Sequence, residues 1–309
     1  MNELQVNVPV PFRRREPLAP YTTFRIGGPA DWLLLPDSAQ GFVAAVRWII
    51  GQGLPLAILG GGSNVLVADA GVDGAVIVTT AMRRVEVDGA EVRAEAGIGI
   101  SDLCEFCAGR GLAGLQNFHG MPGSLGGAVF MNARCYERSI GDVVRRVHGV
   151  DRGGHEATFE AAACGFAYKR SRFQAGGEWV AEVDLRLEAG ADPVRLREAM
   201  SDFQRRREEM GQFLFPNAGC IFKNDYRTGT PSGKIIESCG LKGMRIGDAE
   251  VFSRHANFIV NRGAASACEV LALIRSVEQV VRDRTGLELE REIQLLGRWG
   301  GVSEVQPGG

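Results

Sequence analysis

Two glycine-rich segments combine residue types that can bind an anion through the backbone. Gly60–Asn64 holds three consecutive glycines followed by serine and asparagine, and Gly120–Gly127 holds four glycines with Pro122 and Ser124. Glycine permits sharp turns and close approach to a ligand. Consecutive N–H groups turned into a concavity bind anionic oxygens without a lysine. Two such cradles predict one extended ligand with a pyrophosphate, such as a dinucleotide lying between domains. The predicted contact residues are Leu59, Gly60, Gly61, Gly62, Ser63, Asn64, Gly120, Pro122, Gly123, Ser124, Gly126 and Gly127.

Two other patterns suggest chemistry that their position argues against. Gly109–Gly114 matches G-x-G-x-x-G, but it follows a predicted helix instead of a strand. A helix C-terminus carries the wrong dipole sign for phosphate, so no Rossmann nicotinamide site is predicted there. Cys104 and Cys107 lie within the predicted helix and lack a second pair at metal spacing, which favours packing over a metal site.

Composition narrows the possible classes of protein. The 309 residues predict two or three domains. The net charge of −2 argues against a dedicated nucleic-acid binder. No apolar run approaches the roughly 18 residues of a membrane helix, and Arg13–Arg15 precede no apolar signal core. Seven scattered cysteines fit reduced thiols. We therefore expect a cytoplasmic protein without a membrane or nucleic-acid partner.

The spacing of apolar residues predicts the helices and strands that position the glycine loops. A strand at 30–36, a helix over Ser38–Gly53 capped by Ser38, and a strand over Gly74–Thr80 predict a first α/β unit. A hairpin over Val85–Gly97, followed by a helix with Ser101 as its cap, opens a strand-rich second unit. The third unit is expected to contain helices at Val194–Met210 and Ala265–Gly286, a strand at Ala249–Asn261 and a closing strand at Leu287–Gly297.

Eight segments occur in an order that resembles the UDP-N-acetylenolpyruvoylglucosamine reductase family. They are TFRIGGPA, LGGGSNVLV, GMPGSLGGAVFMNA, YKRSRF, NAGCIFKN, SGKIIESCGLKG, VFSRHANFIVN and LEREIQLLG. The resemblance implies a mixed α+β fold, in which a two-part FAD-binding domain of the vanillyl-alcohol-oxidase type precedes a C-terminal α+β substrate domain. The implied boundaries are 1–80 and 81–195 for the two FAD-binding parts and 196–309 for the substrate domain.

The resemblance also implies an activity in peptidoglycan-precursor synthesis. NADPH would reduce FAD, which would then convert UDP-N-acetylglucosamine-enolpyruvate to UDP-N-acetylmuramate, in a protein we expect to be a monomer. The family's pyridine-nucleotide site overlaps its substrate site. Hydride addition to the enolpyruvyl CH2 places negative charge on C2 and its carboxylate. The site therefore needs a cation at the carboxylate and a proton donor at C2.

Family positions assign three catalytic candidates. Lys169 matches an arginine in a Tyr-Arg-x-Ser segment, but it supplies only a point charge. Arg170 takes the role if the register slips, and a solvated Lys-Arg pair is the alternative. Cys220 matches the family's serine proton donor, and a thiol with a pKa of about 8.5 is the stronger acid; alternatively it fills a core. Glu292 matches a glutamate expected beside the carboxylate, though its strand period also fits a solvated position.

A UDP-sugar diphosphate needs cations and amide donors. The candidate substrate-binding residues are Arg170, Asn217, Lys223, Lys234, Arg254, His255 and Asn257. For His255 a hydrogen-bonded core role is the alternative. Short spacing between Lys169 and Cys220 favours the family's compact subtype, which lacks a tyrosine-bearing substrate loop. Arg134 departs from the small residue usual at its position.

Two other functions fit parts of the pattern. An oxidase of alcohols on the same FAD scaffold would depend little on Cys220. A non-catalytic regulator that binds flavin or a nucleotide sugar would show no turnover, and the lysine at position 169 is the feature that favours it.

Overall fold

The computed structural model describes residues 7–300, and its first unit is a parallel sheet with one added antiparallel strand. Its elements are β1 (Phe12–Pro17), β2 (Pro29–Leu34), α1 (Ala39–Gly51), β3 (Leu56–Leu59), β4 (Val65–Val67) and β5 (Val72–Val78). The sheet order is β1-β2-β5-β3, with β2, β5 and β3 parallel. Ser38 caps α1 as predicted, because its hydroxyl accepts a hydrogen bond from the Gly41 N–H. Gly60–Asn64 is the connection from β3 to β4.

The second unit is a five-stranded antiparallel sheet covered by short helices. Its elements are β6 (Val85–Asp88), β7 (Glu91–Glu95), α2 (Ile100–Ala108), α3 (Leu125–Phe130), β8 (Arg134–Cys135), β9 (Arg138–Ser139), β10 (Val144–Asp151), β11 (Glu156–Glu160) and β12 (Glu178–Arg186). The sheet order is β11-β10-β12-β7-β6. The predicted hairpin is present, with β6 and β7 as its antiparallel strands. The α2 cap is Gly99 and not Ser101, since the helix begins two residues earlier than the cap preference of serine suggests.

The third unit packs a long helix on a small antiparallel sheet. The elements from residue 193 onward are α4 (Pro193–Glu209), β13 (Asn217–Cys220), α5 (Ser232–Ser238), β14 (Arg245–Ile246), β15 (Ala249–Val251), β16 (Phe258–Asn261), α6 (Ala267–Thr285) and β17 (Gln294–Leu296). The sheet order is β13-β16-β15-β14. The single strand predicted over Ala249–Asn261 is wrong, because a turn around His255 divides it into β15 and β16.

Helix α4 belongs with the second unit by its packing. Leu196 and Met200 lie in the same apolar cluster as Leu103 and Phe118 of that unit. The sequence grouped this helix with the substrate domain. We propose that the third unit begins after α4, near residue 210.

The closing strand returns to the first unit. β17 pairs in parallel with β4, in the register Gln294 with Val65 to Leu296 with Val67. The predicted closing strand at Leu287–Gly297 is therefore shorter than expected, and residues 287–293 cross between the units without regular structure. Phe24, Ile26 and Leu66 of the first unit lie in the core of the third.

Within residues 7–300, no helix is long and apolar enough to cross a bilayer. Over the same residues, no group of His, Cys, Asp and Glu side chains is arranged to hold a metal ion.

Candidate active site

The two predicted glycine cradles lie against each other. A Cβ built on Gly60 would stand 2.1 Å from the Ser124 Oγ, and one on Gly61 would stand 2.7 Å from the Gly123 Cα. The Ser63 hydroxyl donates to the Pro122 carbonyl at 3.1 Å. Side chains larger than hydrogen would force the loops apart, which explains glycine at both positions. Segments some 60 residues apart thus form one continuous surface.

Backbone donors and glycine conformations at this surface fit a pyrophosphate. Among the hydrogen bonds within residues 7–300, none uses the N–H groups of Gly60 to Asn64 as donors. Gly62 has φ of +60° and Gly123 has φ of +118°, conformations that turn successive peptide N–H groups to one side. Ser124 caps α3, its hydroxyl accepting from the Gly127 N–H. The residues present therefore suit an anionic dinucleotide cofactor.

The G-x-G-x-x-G segment lies where the sequence places it, at the end of a helix. Gly109 is the C-cap of α2, and Gly111 has φ of +66° as the chain turns away. Cys104 and Cys107 belong to this helix and point into the core, where both are buried. Both patterns have structural explanations.

Lys169 projects from a tight turn in a backbone conformation rare for lysine. Ala167 and Arg170 exchange both backbone hydrogen bonds, so Tyr168 and Lys169 are the two turn residues. Lys169 has φ of +54°. Left-handed backbone at a residue other than glycine is held in place by surrounding structure and concentrates at functional sites. The turn points the two neighbouring side chains in different directions: the Lys169 side chain is largely buried, whereas Arg170 is exposed.

Lys169 forms an ion pair with Glu292 across the boundary between the second and third units. Its Nζ lies 2.6 Å from the Glu292 Oε1, and the side chains are 16% and 12% exposed. Burial alone would lower the pKa of the Lys169 ammonium, but attraction to Glu292 outweighs it and raises the pKa. Lys169 is therefore a fixed cation at neutral pH. Glu292 is largely buried, so the alternative that it lies on a solvated strand face is wrong.

Cys220 lies at the end of β13, within the electrostatic reach of this pair. Burial raises the pKa of the Cys220 thiol to about 12, Glu292 adds to the rise and Lys169 opposes it. The thiol consequently carries its proton at neutral pH. It is, however, a weaker acid than the ordinary thiol that the sequence suggested.

The first glycine loop contacts the Glu292 segment directly. The Asn64 amide donates to the Glu292 carbonyl at 3.1 Å, and the Gln294 N–H donates to the Asn64 carbonyl at 2.9 Å. On the same side, the Thr23 hydroxyl donates to the Asn217 carbonyl at 2.7 Å. Sequence reasoning missed Thr23, although it lies in the quoted TFRIGGPA segment. These bonds join the cofactor cradle to the catalytic candidates.

Several predicted substrate-binding side chains are engaged within the protein. The Asn217 amide donates to the Gln212 and Phe215 carbonyls, and the Asn257 amide exchanges hydrogen bonds with the Phe222 backbone. These asparagines fix the backbone that carries Cys220, which is a positioning role. Their contact with a ligand stays a prediction.

The predicted cations in the third unit differ in their surroundings. Lys223 pairs with Glu290 at 2.6 Å and Lys234 with Glu237 at 3.0 Å, whereas Arg254 is exposed. His255 packs on Phe258 with 4.4 Å between ring centroids, and burial lowers its pKa. Its Nδ1 is buried without a hydrogen-bond partner. His255 is therefore a neutral ring in a packed position, with one polar atom unsatisfied.

Family models match both halves of the chain. Residues 30–160 match an FAD binding domain, and residues 209–296 match the C-terminal domain of UDP-N-acetylenolpyruvoylglucosamine reductase. The first match contains both glycine cradles. The second contains Cys220 and Glu292.

Whole-chain relatives agree with the family models. The UDP-N-acetylenolpyruvoylglucosamine reductase of Carboxydothermus hydrogenoformans is 36% identical over 96% of this chain and 97% of its own. That of Moorella thermoacetica is 39% identical over 96% of each. The crystal structure of the Thermus caldophilus enzyme matches with a TM-score of 0.78 at 32% identity, covering 93% of this chain and 98% of that one.

Proposed function

Because the chain belongs to the UDP-N-acetylenolpyruvoylglucosamine reductase family, we propose that Lys169, Cys220 and Glu292 carry the reduction of UDP-N-acetylglucosamine-enolpyruvate to UDP-N-acetylmuramate. The enzyme is an FAD-dependent oxidoreductase of peptidoglycan-precursor synthesis, with NADPH as reductant, and the expected fold class is confirmed. The roles of the individual residues are the proposal. The ion pair of Lys169 with Glu292 beside the Cys220 thiol is the observation that carries it.

The two glycine loops hold the cofactor. Bound there, FAD would supply the hydride chemistry, with NADPH as the source and the methylene carbon of the enolpyruvyl group as the acceptor. The N–H groups of Gly60 to Asn64, which have no acceptor among the described residues, would bind the pyrophosphate oxygens. The close approach of Gly61 to Gly123 would let both loops contact the same ligand.

Lys169 binds the substrate carboxylate. An ammonium has three donors, one of which Glu292 accepts at 2.6 Å. The remaining donors stabilise the negative charge that develops on C2 and the carboxylate as hydride arrives. Glu292 keeps the ammonium charged and in place, because without it burial would favour the neutral amine.

Cys220 gives its proton to C2. The raised pKa keeps the thiol protonated before reaction, and the nearby Lys169 ammonium stabilises the thiolate that remains. Hydride on the methylene carbon and a proton on C2 complete the lactyl ether. The thiolate then recovers its proton from solvent.

A two-step titration of the purified protein tests this function. We expect a flavin absorption spectrum that NADPH bleaches under anaerobic conditions. The enolpyruvyl UDP-sugar then restores the oxidised spectrum in one equivalent, with UDP-N-acetylmuramate as the product. UDP-N-acetylglucosamine, which lacks the enolpyruvyl group, is the matched control and should leave the reduced flavin unchanged. Reduced protein that the enolpyruvyl substrate does not reoxidise would contradict the proposal.

A further inference from the structure

Tyr168, which has no role in the mechanism above, connects the Lys169 turn to the third unit. Its hydroxyl accepts a hydrogen bond from the Asn224 backbone N–H at 3.1 Å. Its ring meets the edge of the Tyr226 ring, with 5.0 Å between centroids and 68° between planes. Burial raises the pKa of Tyr168, so its hydroxyl stays neutral. A half-buried tyrosine thus lies beside the catalytic lysine in sequence and reaches the opposite unit.

The turn is also held from its own unit. The Asn132 amide donates to the Ala167 carbonyl at 2.8 Å, and the Gln174 amide donates to the Lys169 carbonyl at 3.1 Å. These bonds fix the backbone at both ends of the turn. They hold it on the second unit without setting its distance from the third, where Glu292 and Cys220 lie.

The partner of Tyr168 is itself firmly placed. The Asn224 side chain accepts from the Ser232 N–H at 3.0 Å. The following residues fold on themselves, because Arg227 forms a bidentate ion pair with Asp225 and the Thr228 hydroxyl donates to the Asp225 carbonyl. The N–H that meets Tyr168 therefore belongs to a preformed segment of the third unit.

We propose that Tyr168 is a positioning residue that sets the location of the Lys169 ammonium by clamping its turn to the Asn224 segment. The inference rests on the proposed function, in which Lys169 binds the substrate carboxylate. A lysine on a flexible four-carbon stem gains most from a fixed backbone origin. The clamp supplies that origin on the side facing Glu292 and Cys220.

The first test is Tyr168→Phe, which keeps the ring against Tyr226 and removes the hydroxyl. We expect KM for the enolpyruvyl substrate to rise about five- to tenfold, the loss typical of one hydrogen bond. Flavin reduction by NADPH should stay within about twofold. Tyr226→Leu removes the ring of the third unit that Tyr168 packs against, and should also raise KM. The control Tyr21→Phe removes a hydroxyl that donates to the Glu16 carboxylate of β1, and should leave KM unchanged.

A double-mutant cycle separates positioning from general stability. If Tyr168 acts through Lys169, Tyr168→Phe should cost less than about twofold in a Lys169→Met background. Full additivity of the two substitutions, or a Tyr168→Phe enzyme with unchanged KM, overturns the inference while the function stands. A wild-type enzyme that the substrate does not reoxidise overturns the proposed function, and this inference with it.

Discussion

Three side chains at the site illustrate what chemistry a residue type can and cannot predict. Family position pointed to Lys169, Cys220 and Glu292, and the structure brings them together. The left-handed backbone of Lys169 had no signal in the sequence, because the turn contains no glycine or asparagine. The raised pKa of the Cys220 thiol could not be predicted from the sequence either, since it depends on burial between two units. Position in the family pattern predicted the roles of these side chains, whereas their surroundings determine how strongly each binds a charge or a proton.

Replacing Cys220 separates the two half-reactions. Cys220→Ala should leave flavin reduction by NADPH intact and slow reoxidation by the enolpyruvyl substrate by about 10²–10⁴-fold, the usual contribution of a positioned acid. Cys220→Ser should retain much of the activity because a hydroxyl can also donate. Stopped-flow absorbance measures both steps. Normal reoxidation of the alanine variant would remove Cys220 from the mechanism.

The pH dependence of reoxidation reports on the raised pKa values. A proton donor is lost as pH rises through its pKa, so a thiol with a pKa of about 12 remains active where an ordinary thiol does not. We expect the rate to stay flat from about pH 7 to about pH 10. Glu292→Gln removes the group that raises the Lys169 pKa, so its alkaline decline should begin at lower pH. A wild-type decline centred near pH 8.5 would contradict this assignment.

Local elements follow the sequence closely where their signals are local. α1 begins at the predicted Ser38 cap, β6–β7 is the predicted hairpin, and α6 buries the predicted stripe from Val270 to Val281. The closing strand differs because its length depends on pairing with β4, more than 200 residues earlier. Contacts between distant segments leave no periodic signal in either segment. The sequence therefore predicted that both glycine loops bind one ligand, but not that the loops contact each other.

Close packing of the two glycine loops predicts a loss of cofactor on adding one methyl group. Gly61→Ala places a Cβ 2.7 Å from the Gly123 Cα and 3.0 Å from its carbonyl carbon, and backbone atoms cannot yield as a flexible side chain would. We expect FAD affinity to fall about tenfold or more, as overpacking typically costs about 1–3 kcal/mol. Gly51→Ala meets no atom within 4 Å and is the control. Equal flavin affinity in both variants would refute the shared cradle.

Across the whole molecule, packing and hydrogen bonds between residues far apart in the sequence join the three units. α4 packs on the second unit, Phe24 lies in the core of the third, and the Asp69 carboxylate of the first unit accepts hydrogen bonds from the Ala267 and Cys268 N–H groups at the start of α6. Asp69 thus caps a helix of another unit. The site at the junction depends on this mutual support.

Removing that cap should weaken the whole fold. Asp69→Ala leaves two N–H groups of α6 without their acceptor, and we expect the free energy of unfolding to fall by about 1–3 kcal/mol. Urea titration followed by circular dichroism measures the change. Asp88→Ala, at the exposed end of β6, should stay within about 0.5 kcal/mol of wild type. Equal stability of both variants would show that Asp69 does not couple the units.

The pairing of β17 with β4 has a consequence for biogenesis. While the chain is being translated, β4, the strand that follows the first glycine loop, lacks its partner strand β17 until the codons through Leu296 have been read. A ribosome-bound chain truncated before Gln294 should therefore retain flavin poorly. We therefore expect the prosthetic group to be loaded only after nearly the whole chain has been made.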